Sequence, residues 1–207
     1  MGVEAKRERN RAGLMPNPYP GPFRQECEAP AEVVYDLLAD LRSHLGWSGE
    51  RMPKTFRLLS MDAPPGPARV GTEFRSMGAD GKKARWHDRS VVTEATRPTV
   101  FEFVTEGRRE ADPGTQPIEV TTVARYEITP RGDRCEVLYV GRPTRFTGPP
   151  GWMRAVQTPL VRWVVWRVGN AYARKGFRSL IAIAEERAGR PRERASRRRS
   201  AGAESTD

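Results

Sequence analysis

The stretch from Ile118 to Ile128 constrains the fold of this chain more than any other segment. Its even positions are apolar or carry hydroxyls, whereas Glu119, Arg125 and Glu127 occupy odd positions. A period of two is the spacing of side chains along one face of a β-strand. The segment therefore predicts a strand with one face toward the protein interior.

Other short segments carry strand signals and are separated by turn residues. They are Phe23–Glu28, Thr55–Met61, Val70–Met77, Ala84–Glu94, Val100–Thr105 and Cys135–Val140. A turn is predicted at Gly78–Gly81, and a polar loop at Gly107–Pro117. Strands at this spacing favour an antiparallel sheet. Helical patterns lie at the ends of this order and do not alternate with strands, which excludes a doubly wound parallel fold and favours α+β.

Helices are predicted on both sides of the strands. The first begins at Ala29 and Pro30, because proline is tolerated in the first helical turn, and a second short helix starts at Asp40 and stops at Gly46. A long helix is predicted from Pro159 to Ala188.

The long helix carries two apolar faces. One comprises Trp166, Ala173, Phe177, Leu180, Ile181 and Ala184, and the other comprises Leu160, Val161, Val164, Val165, Val168 and Tyr172. A surface helix normally buries one apolar stripe. Both faces are buried if the sheet wraps the helix or if the helix kinks at a glycine. Otherwise the Leu160–Tyr172 face is free for a homodimer or a membrane surface.

The length of 207 residues suits one domain, predicted at 23–188, between an extended leader at 1–22 and a basic tail at 189–207. The net charge is +10, but the tail lacks interleaved aromatic residues, so nucleic acid is an unlikely partner. No apolar stretch follows the charged start, which predicts a cytoplasmic protein. Cys27 and Cys135 match no metal or redox spacing and are predicted to be reduced, buried thiols. No nucleotide or metal motif occurs, so no cofactor is predicted.

Several segments resemble one known superfamily. The sequence from Glu28 to Asp40, EAPAEVVYDLLAD, with Trp47 after it, resembles the opening of START/Bet v 1-like (SRPBCC) proteins, above all the polyketide cyclase and lipid transport group. Gly71–Phe74, Val92–Phe103 and Lys175–Arg187 resemble later parts of the same pattern. The resemblance covers about residues 23–188. It implies a helix-grip fold, in which a curved antiparallel sheet of about seven strands surrounds a long C-terminal helix and leaves a cavity.

Aromatic residues of the strands and the long helix are the candidates for lining such a cavity. They are Trp86, Phe101, Phe103, Tyr126, Tyr139 and Phe177. Their size and apolar surface suit a small hydrophobic ligand. The alternative is that they fill the core.

Three polar residues are candidates for acid–base chemistry. Asp88 shares the face of Trp86, His44 lies near the expected cavity mouth, and Tyr126 offers a hydroxyl. His87 is adjacent to Asp88 on a strand and therefore faces the other side.

Three functions are consistent with these features. The first is binding of a small lipid, polyketide or aromatic molecule. The second is a cyclase or dehydratase acting on a polyketide-like substrate. The third is association with a membrane or nucleic acid through the basic tail and the Trp-rich start of the long helix.

Overall fold

The computed structural model describes residues 22–81, 84–110, 117–147 and 159–189, and for residues 146 and 159–170 it describes the backbone. Strands and helices are numbered separately along the chain. They are β1 Phe23–Cys27, α1 Ala31–Ala39, a 3₁₀ turn Leu41–Ser43, a π-helix Leu45–Glu50, β2 Phe56–Asp62, β3 Glu73–Asp80, β4 Ala84–Thr96, β5 Val100–Arg109, β6 Ile118–Arg131, β7 Arg134–Thr147 and α2 Pro159–Arg187.

The strands form one antiparallel sheet in the order β1-β7-β6-β5-β4-β3-β2. Strands β2 to β7 follow one another as neighbours, and β1 pairs with β7 at the far edge. The α+β prediction, with seven strands and a long C-terminal helix, is confirmed. The alternation from Ile118 to Ile128 lies on β6, where Ala124, Tyr126 and Ile128 are buried.

The core lies between one face of the sheet and two helices. Helix α1 buries Val34, Leu37 and Leu38, none of which is measurably exposed. The C-terminal half of α2 buries Leu180 and Ile181 to the same degree. These residues pack with Phe101 and Val137 of the sheet in one apolar cluster. Burial of a large aliphatic side chain contributes about 2 kcal/mol, so this cluster holds α2 against the sheet.

Several of the predicted boundaries were wrong, and the second short helix, expected to stop at Gly46, is followed by a π-helix that runs to Glu50. Strand β3 begins at Glu73 and not at Val70, because Gly71 takes a positive φ of 86° and Val70 is 64% exposed. Its pairing runs on to Asp80, so the expected turn at Gly78–Gly81 starts later. Strand β5 continues to Arg109, and Gly107–Arg109 belong to the sheet and not to a loop. Residues 111–116 of that expected loop lie outside the described residues.

One apolar face of the long helix is buried as expected, through Phe177, Leu180, Ile181 and Ala184. The second face, Leu160–Tyr172, lies outside the described side chains except at its end, where Tyr172 stacks on Phe56 with 4.9 Å between ring centroids. A dimer or membrane role for that face stays a prediction, as do the limits of the leader and tail. None of the helices in the described parts of the chain is long and apolar enough to cross a membrane.

Candidate functional site

The strand register decides which side chains share the face that supports the core. Residues paired directly across antiparallel strands lie on the same side of the sheet. Phe101 pairs with Tyr126, which pairs with Tyr139, which pairs with Phe23. Phe101, Tyr126 and Phe23 are 0–5% exposed. This row identifies the inner face. The pairing of each strand with its neighbour then identifies the remaining inner-face positions.

The middle of the inner face carries small side chains on five adjacent strands, β3 to β7. We call this set the central floor: Ser76, Gly78, Ser90, Thr105, Gly107, Thr122, Ala124 and Gly141. Strands lie about 4.8 Å apart, so five strands extend over roughly 19 Å. Small residues leave room above the sheet that larger ones would fill. The central floor is therefore a strip of the inner face that carries little side-chain volume.

Asp88 lies on the inner face, where it pairs with Ser76 of β3 on one side and with Gly107 of β5 on the other. Burial raises the pKa of its carboxyl to about 6, although the Ser76 hydroxyl and the nearby His87 both oppose this rise. The Ser76 hydroxyl donates a hydrogen bond of 3.4 Å to Asp88 Oδ2. Among the described residues no other hydrogen bond reaches this carboxyl.

Gly107 provides the space that Asp88 occupies. A Cβ atom at position 107 would lie 2.7 Å from Asp88 Oδ1 and 3.4 Å from the Trp86 ring. The aspartate and the indole therefore both rest against the β5 backbone. Any larger residue at 107 would displace one of them.

Further polar groups lie beside Asp88 on the inner face. The Ser90 and Thr105 hydroxyls hydrogen-bond to each other at 2.8 Å, and Ser90 is only 1% exposed. Also on the inner face, on the side of Asp88 away from Ser90, Arg109 Nε donates a 2.6 Å hydrogen bond to Asp80 Oδ2 in a partly buried ion pair. Asp88, by contrast, receives only the 3.4 Å hydrogen bond from Ser76 among the described residues.

The other end of the inner face is aromatic. The Tyr126 and Tyr139 rings are 4.9 Å apart, and Tyr139 lies 6.1 Å from Phe23 and 6.3 Å from Phe177. Burial raises the pKa of Tyr139 to about 12 and that of Tyr126 well above its usual value. Within the described part of the chain, neither hydroxyl has a hydrogen-bond partner.

His44 lies in the core. It is 4% exposed, and its Nε2 donates a 2.9 Å hydrogen bond to the Leu38 carbonyl oxygen. Its ring lies 4.7 Å from Trp47 and 6.4 Å from Phe103. Burial lowers the pKa of His44 to about 4, so the ring is neutral at pH 7. His44 is therefore a buried core residue, and its expected place near a cavity mouth stays a prediction.

Comparisons with known proteins agree on the fold. A solution structure of a protein from Arthrobacter aurescens is 17% identical, with a TM-score of 0.53 and coverage of 79% of this chain and 84% of the other. A conserved protein from Geobacillus kaustophilus is 16% identical, with a TM-score of 0.52 and coverage of 79% and 93%. No protein-family model and no curated protein matches the sequence.

A third similar structure is the di-domain ARO/CYC StfQ from the steffimycin biosynthetic pathway. It is 17% identical, with a TM-score of 0.50, over 81% of this chain and 51% of StfQ. Identities this low establish likeness of fold alone.

The sequence candidates fall into separate groups on this fold. Trp86 and Asp88 lie together beside the central floor, and His87 faces the opposite side with its Nε2 at 2.8 Å from Glu110. Phe101, Tyr126, Tyr139 and Phe177 form the aromatic end, and Phe103 stands between the two groups.

Sequence reasoning did not single out the small residues around Asp88, namely Ser76, Ser90, Thr105 and Gly107. Ser90, Thr105 and Gly107 each lie an even number of positions from an aromatic candidate on the same strand, whereas β3, which carries Ser76, contains no such candidate. The register between strands, which aligns them, becomes visible in the fold.

Two surface hollows occur in the described part of the chain, and the smaller one reaches Gly107 of the central floor. One of about 360 Å³ is lined by Asp62, Ala63, Pro64, Glu73, Phe74 and Arg75. The other, of about 250 Å³, is lined by Glu106, Gly107, Arg108, Glu119, Val120, Thr121, Arg145 and Thr147. None of the six aromatic candidates lines either hollow. Across the described residues, no group of three or more His, Cys, Asp or Glu is placed to hold a metal ion.

Proposed function

We propose that this protein binds a small, mainly apolar molecule over the central floor, and that Asp88 holds a polar group of that molecule. One observation carries the proposal. A largely buried carboxyl stands among small residues, between an aromatic end of the inner face and Trp86.

The energetics of Asp88 favour a ligand with a hydrogen-bond donor. A buried carboxyl without good partners costs about 1–3 kcal/mol, and more when it is charged. A hydroxyl or N–H group of a bound molecule would supply the donor that the 3.4 Å contact from Ser76 provides only weakly. Apolar atoms of the same molecule would cover the floor and contact the aromatic rings at its end.

The resemblance of the Glu28–Asp40 segment to START/Bet v 1-like proteins supports this assignment. We propose that the chain is a member of that superfamily, with the ligand between the sheet and α2. The likeness of fold to the neighbours described above is compatible with this membership.

Two adjacent threonines of β6 provide a matched test. Thr122 lies on the inner face, opposite Thr105, whereas Thr121 lies on the outer face, opposite Glu106. Both are partly buried. Binding of the neutral apolar dye Nile red by the full chain is measured by fluorescence titration, with thermal unfolding as a check on folding.

We expect Thr122→Phe to weaken dye binding at least tenfold, because the ring fills the space above the central floor, and Thr121→Phe to leave it unchanged. Equal effects of the two substitutions in folded variants, or no dye binding by the wild type, would refute the proposal. Extraction of the purified protein into organic solvent, followed by mass spectrometry, then identifies any natural ligand that copurifies.

A second candidate function is catalysis. The pKa of Asp88, near 6, allows the carboxyl both to accept and to return a proton near neutral pH. Dehydration of a β-hydroxy ketone is the simplest reaction of this kind, since the carboxylate takes the proton next to the carbonyl and then returns it to the hydroxyl, which leaves as water. Asp88→Asn should abolish enone formation, measured by ultraviolet absorbance, while Nile red still binds. Unchanged turnover in this variant would exclude Asp88 as the base.

The third function, at a membrane or on nucleic acid, depends on the tail and on the start of α2. These segments lie almost entirely outside the described residues, so this function stays a prediction.

A further inference from the structure

Cys27 and Cys135 are separated by most of the sheet's sequence, yet they lie directly opposite each other. Cys27 of β1 pairs with Cys135 of β7 in the register of the two strands. Each is 1% exposed, and both are free thiols that hydrogen-bond to each other. The sequence prediction of buried, reduced thiols is correct for this state, and it left open where the two thiols lie relative to each other.

The pairing meets the geometric demand of a disulfide. Cα atoms of directly opposed residues in antiparallel strands are about 4.5–5.5 Å apart. Disulfides span Cα distances of about 4.4–6.8 Å, with Cβ atoms pointing toward each other. Opposed side chains on one face of a sheet satisfy the Cα condition, and their Cβ atoms, about 4.5–5.5 Å apart, come within disulfide range after a small local shift of β1.

We propose that Cys27 and Cys135 form a reversible intramolecular disulfide when a small disulfide such as oxidised glutathione accepts their electrons. The Cys27 thiolate attacks one sulfur of the oxidant, which releases one glutathione thiolate and leaves a mixed disulfide. Cys135 then loses its proton to solvent and attacks Cys27 Sγ, which releases the second glutathione thiolate. Two thiols are oxidised and one small disulfide is reduced.

The surroundings set the order of these steps. The hydrogen bond from Cys135 lowers the pKa of Cys27, whereas the same bond, together with burial, raises that of Cys135. Cys27 is therefore the first nucleophile. Once it is capped, the thiolate that suppresses ionisation of Cys135 is gone.

Nearby carboxylates oppose the reaction. Glu28 and Glu185 raise the pKa of Cys27, and Glu32 and Glu185 raise that of Cys135. Arg134 offsets part of this charge through its 3.1 Å ion pair with Glu28. We therefore expect slow oxidation, on a scale of hours and not seconds.

Access for the oxidant comes from the position of β1. It is a five-residue strand at the edge of the sheet, bonded to β7 alone among the strands. Short edge strands open locally at a small fraction of the global free energy of unfolding. Such an opening exposes both thiols, and reclosure brings them back together.

The bond would fasten the start of the domain to its last strand and, through the turn that follows, to α2. The Glu28 backbone N–H donates a 3.2 Å hydrogen bond to Glu185 of α2. A disulfide that closes a loop of about 100 residues is expected to raise Tm by about 10 °C in a protein of this size.

The test begins with the full chain, purified under reducing conditions and then incubated with oxidised glutathione. Intact-mass measurement should show the loss of two hydrogen atoms without bound glutathione. A non-reducing peptide map should link Cys27 to Cys135, and Tm should rise and then return to its original value after addition of dithiothreitol.

The single variants Cys27→Ser and Cys135→Ser are the controls, and neither should gain stability on oxidation. Retention of both thiols in the wild type, glutathione on either cysteine as the end product, or a disulfide between two chains would overturn the proposal. If a serine variant fails to fold, the peptide map of the wild type decides alone. No outcome depends on the ligand proposed above.

Discussion

Gly107 lies directly across from Asp88 in the β4–β5 pairing, with only 2.7 Å between the Asp88 Oδ1 atom and the place where a Cβ atom would stand. The glycine is therefore required by the position of the carboxyl and not by its own backbone, which has no positive φ. This relationship makes position 107 a direct probe of the site.

Gly107→Ala should force the Asp88 carboxyl away from β5. We expect a loss of about 1–2 kcal/mol in the free energy of unfolding, measured by urea denaturation, and weaker Nile red binding. Gly78→Ala is the matched control on the same face, since its Cβ would meet nothing closer than the Arg57 carbonyl oxygen at 3.6 Å. In an Asp88→Ala background the cost of Gly107→Ala should largely disappear, and an equal cost there would contradict the proposed clash.

Asp88→Asn should stabilise the protein at neutral pH. Because the pKa in the folded state is raised to about 6 from 3.8, the folded protein holds this proton more tightly than the unfolded chain. The contribution of the Asp88 carboxyl to the free energy of unfolding of the wild type is fully present below pH 4 and is lost as the pH rises to about 6. The asparagine removes that loss, which is about 3 kcal/mol at pH 7. Urea denaturation at pH 4 and pH 7 measures it, and a gain equal at both pH values would exclude this cause.

His44→Gln should reveal a dependence on pH of opposite sign. The pKa of His44 is depressed to about 4 from 6.5, so its contribution is present above pH 6.5 and is lost as the pH falls toward 4. We expect this group to account for about 3 kcal/mol between those limits. The glutamine preserves a donor for the Leu38 carbonyl and should flatten the slope. His87→Gln, at an exposed position, should leave the slope in place.

These two groups titrate over overlapping ranges with opposite effects on stability. We therefore expect the wild type to vary little in stability between pH 4 and pH 6, and each single variant to vary more than the wild type. A steep wild-type profile, measured by urea denaturation at intervals of half a pH unit, would mean that another group dominates in this range.

Arg125 joins three strands on the outer face of the sheet. Its guanidinium contacts Glu94 at 2.5 Å, Glu102 at 3.1 Å and Glu127 at 2.8 Å. Arg125→Gln leaves these three carboxylates without their shared cation and should cost about 1–2 kcal/mol in the free energy of unfolding. Arg89→Gln, which breaks an isolated exposed pair with Glu73, should cause no measurable change. High salt should reduce the difference in the free energy of unfolding between Arg125→Gln and the wild type.

The sequence was sufficient for the elements with a strong local pattern. The alternation of Ile118–Ile128 and the apolar spacing of Val34, Leu37 and Leu38 reflect burial on one side, and the fold buries these positions. Strand ends were less predictable, because Gly107–Arg109 carry polar side chains but gain backbone partners on both sides.

Contacts between distant segments could not be predicted from the sequence. The register that places Cys27 against Cys135 depends on how the edge strand β1 aligns with β7, which no local pattern determines. His44 was expected near the mouth of a cavity. Only the packing of Trp47 and Phe103 around its ring shows that it is a core residue. Ser76 and Ser90 carry no signal by themselves, since serine is as common on exposed strands as in a binding site.

The central floor also has a consequence for how proteins of this shape can diverge. Its residues are small, while the hydrogen bonds that hold its strands together come from backbone groups that are common to all amino acids. At most of these positions a slightly larger residue would change the space above the central floor and would leave the sheet intact. Ligand preference in such a scaffold can therefore change by single substitutions while the architecture is inherited unchanged.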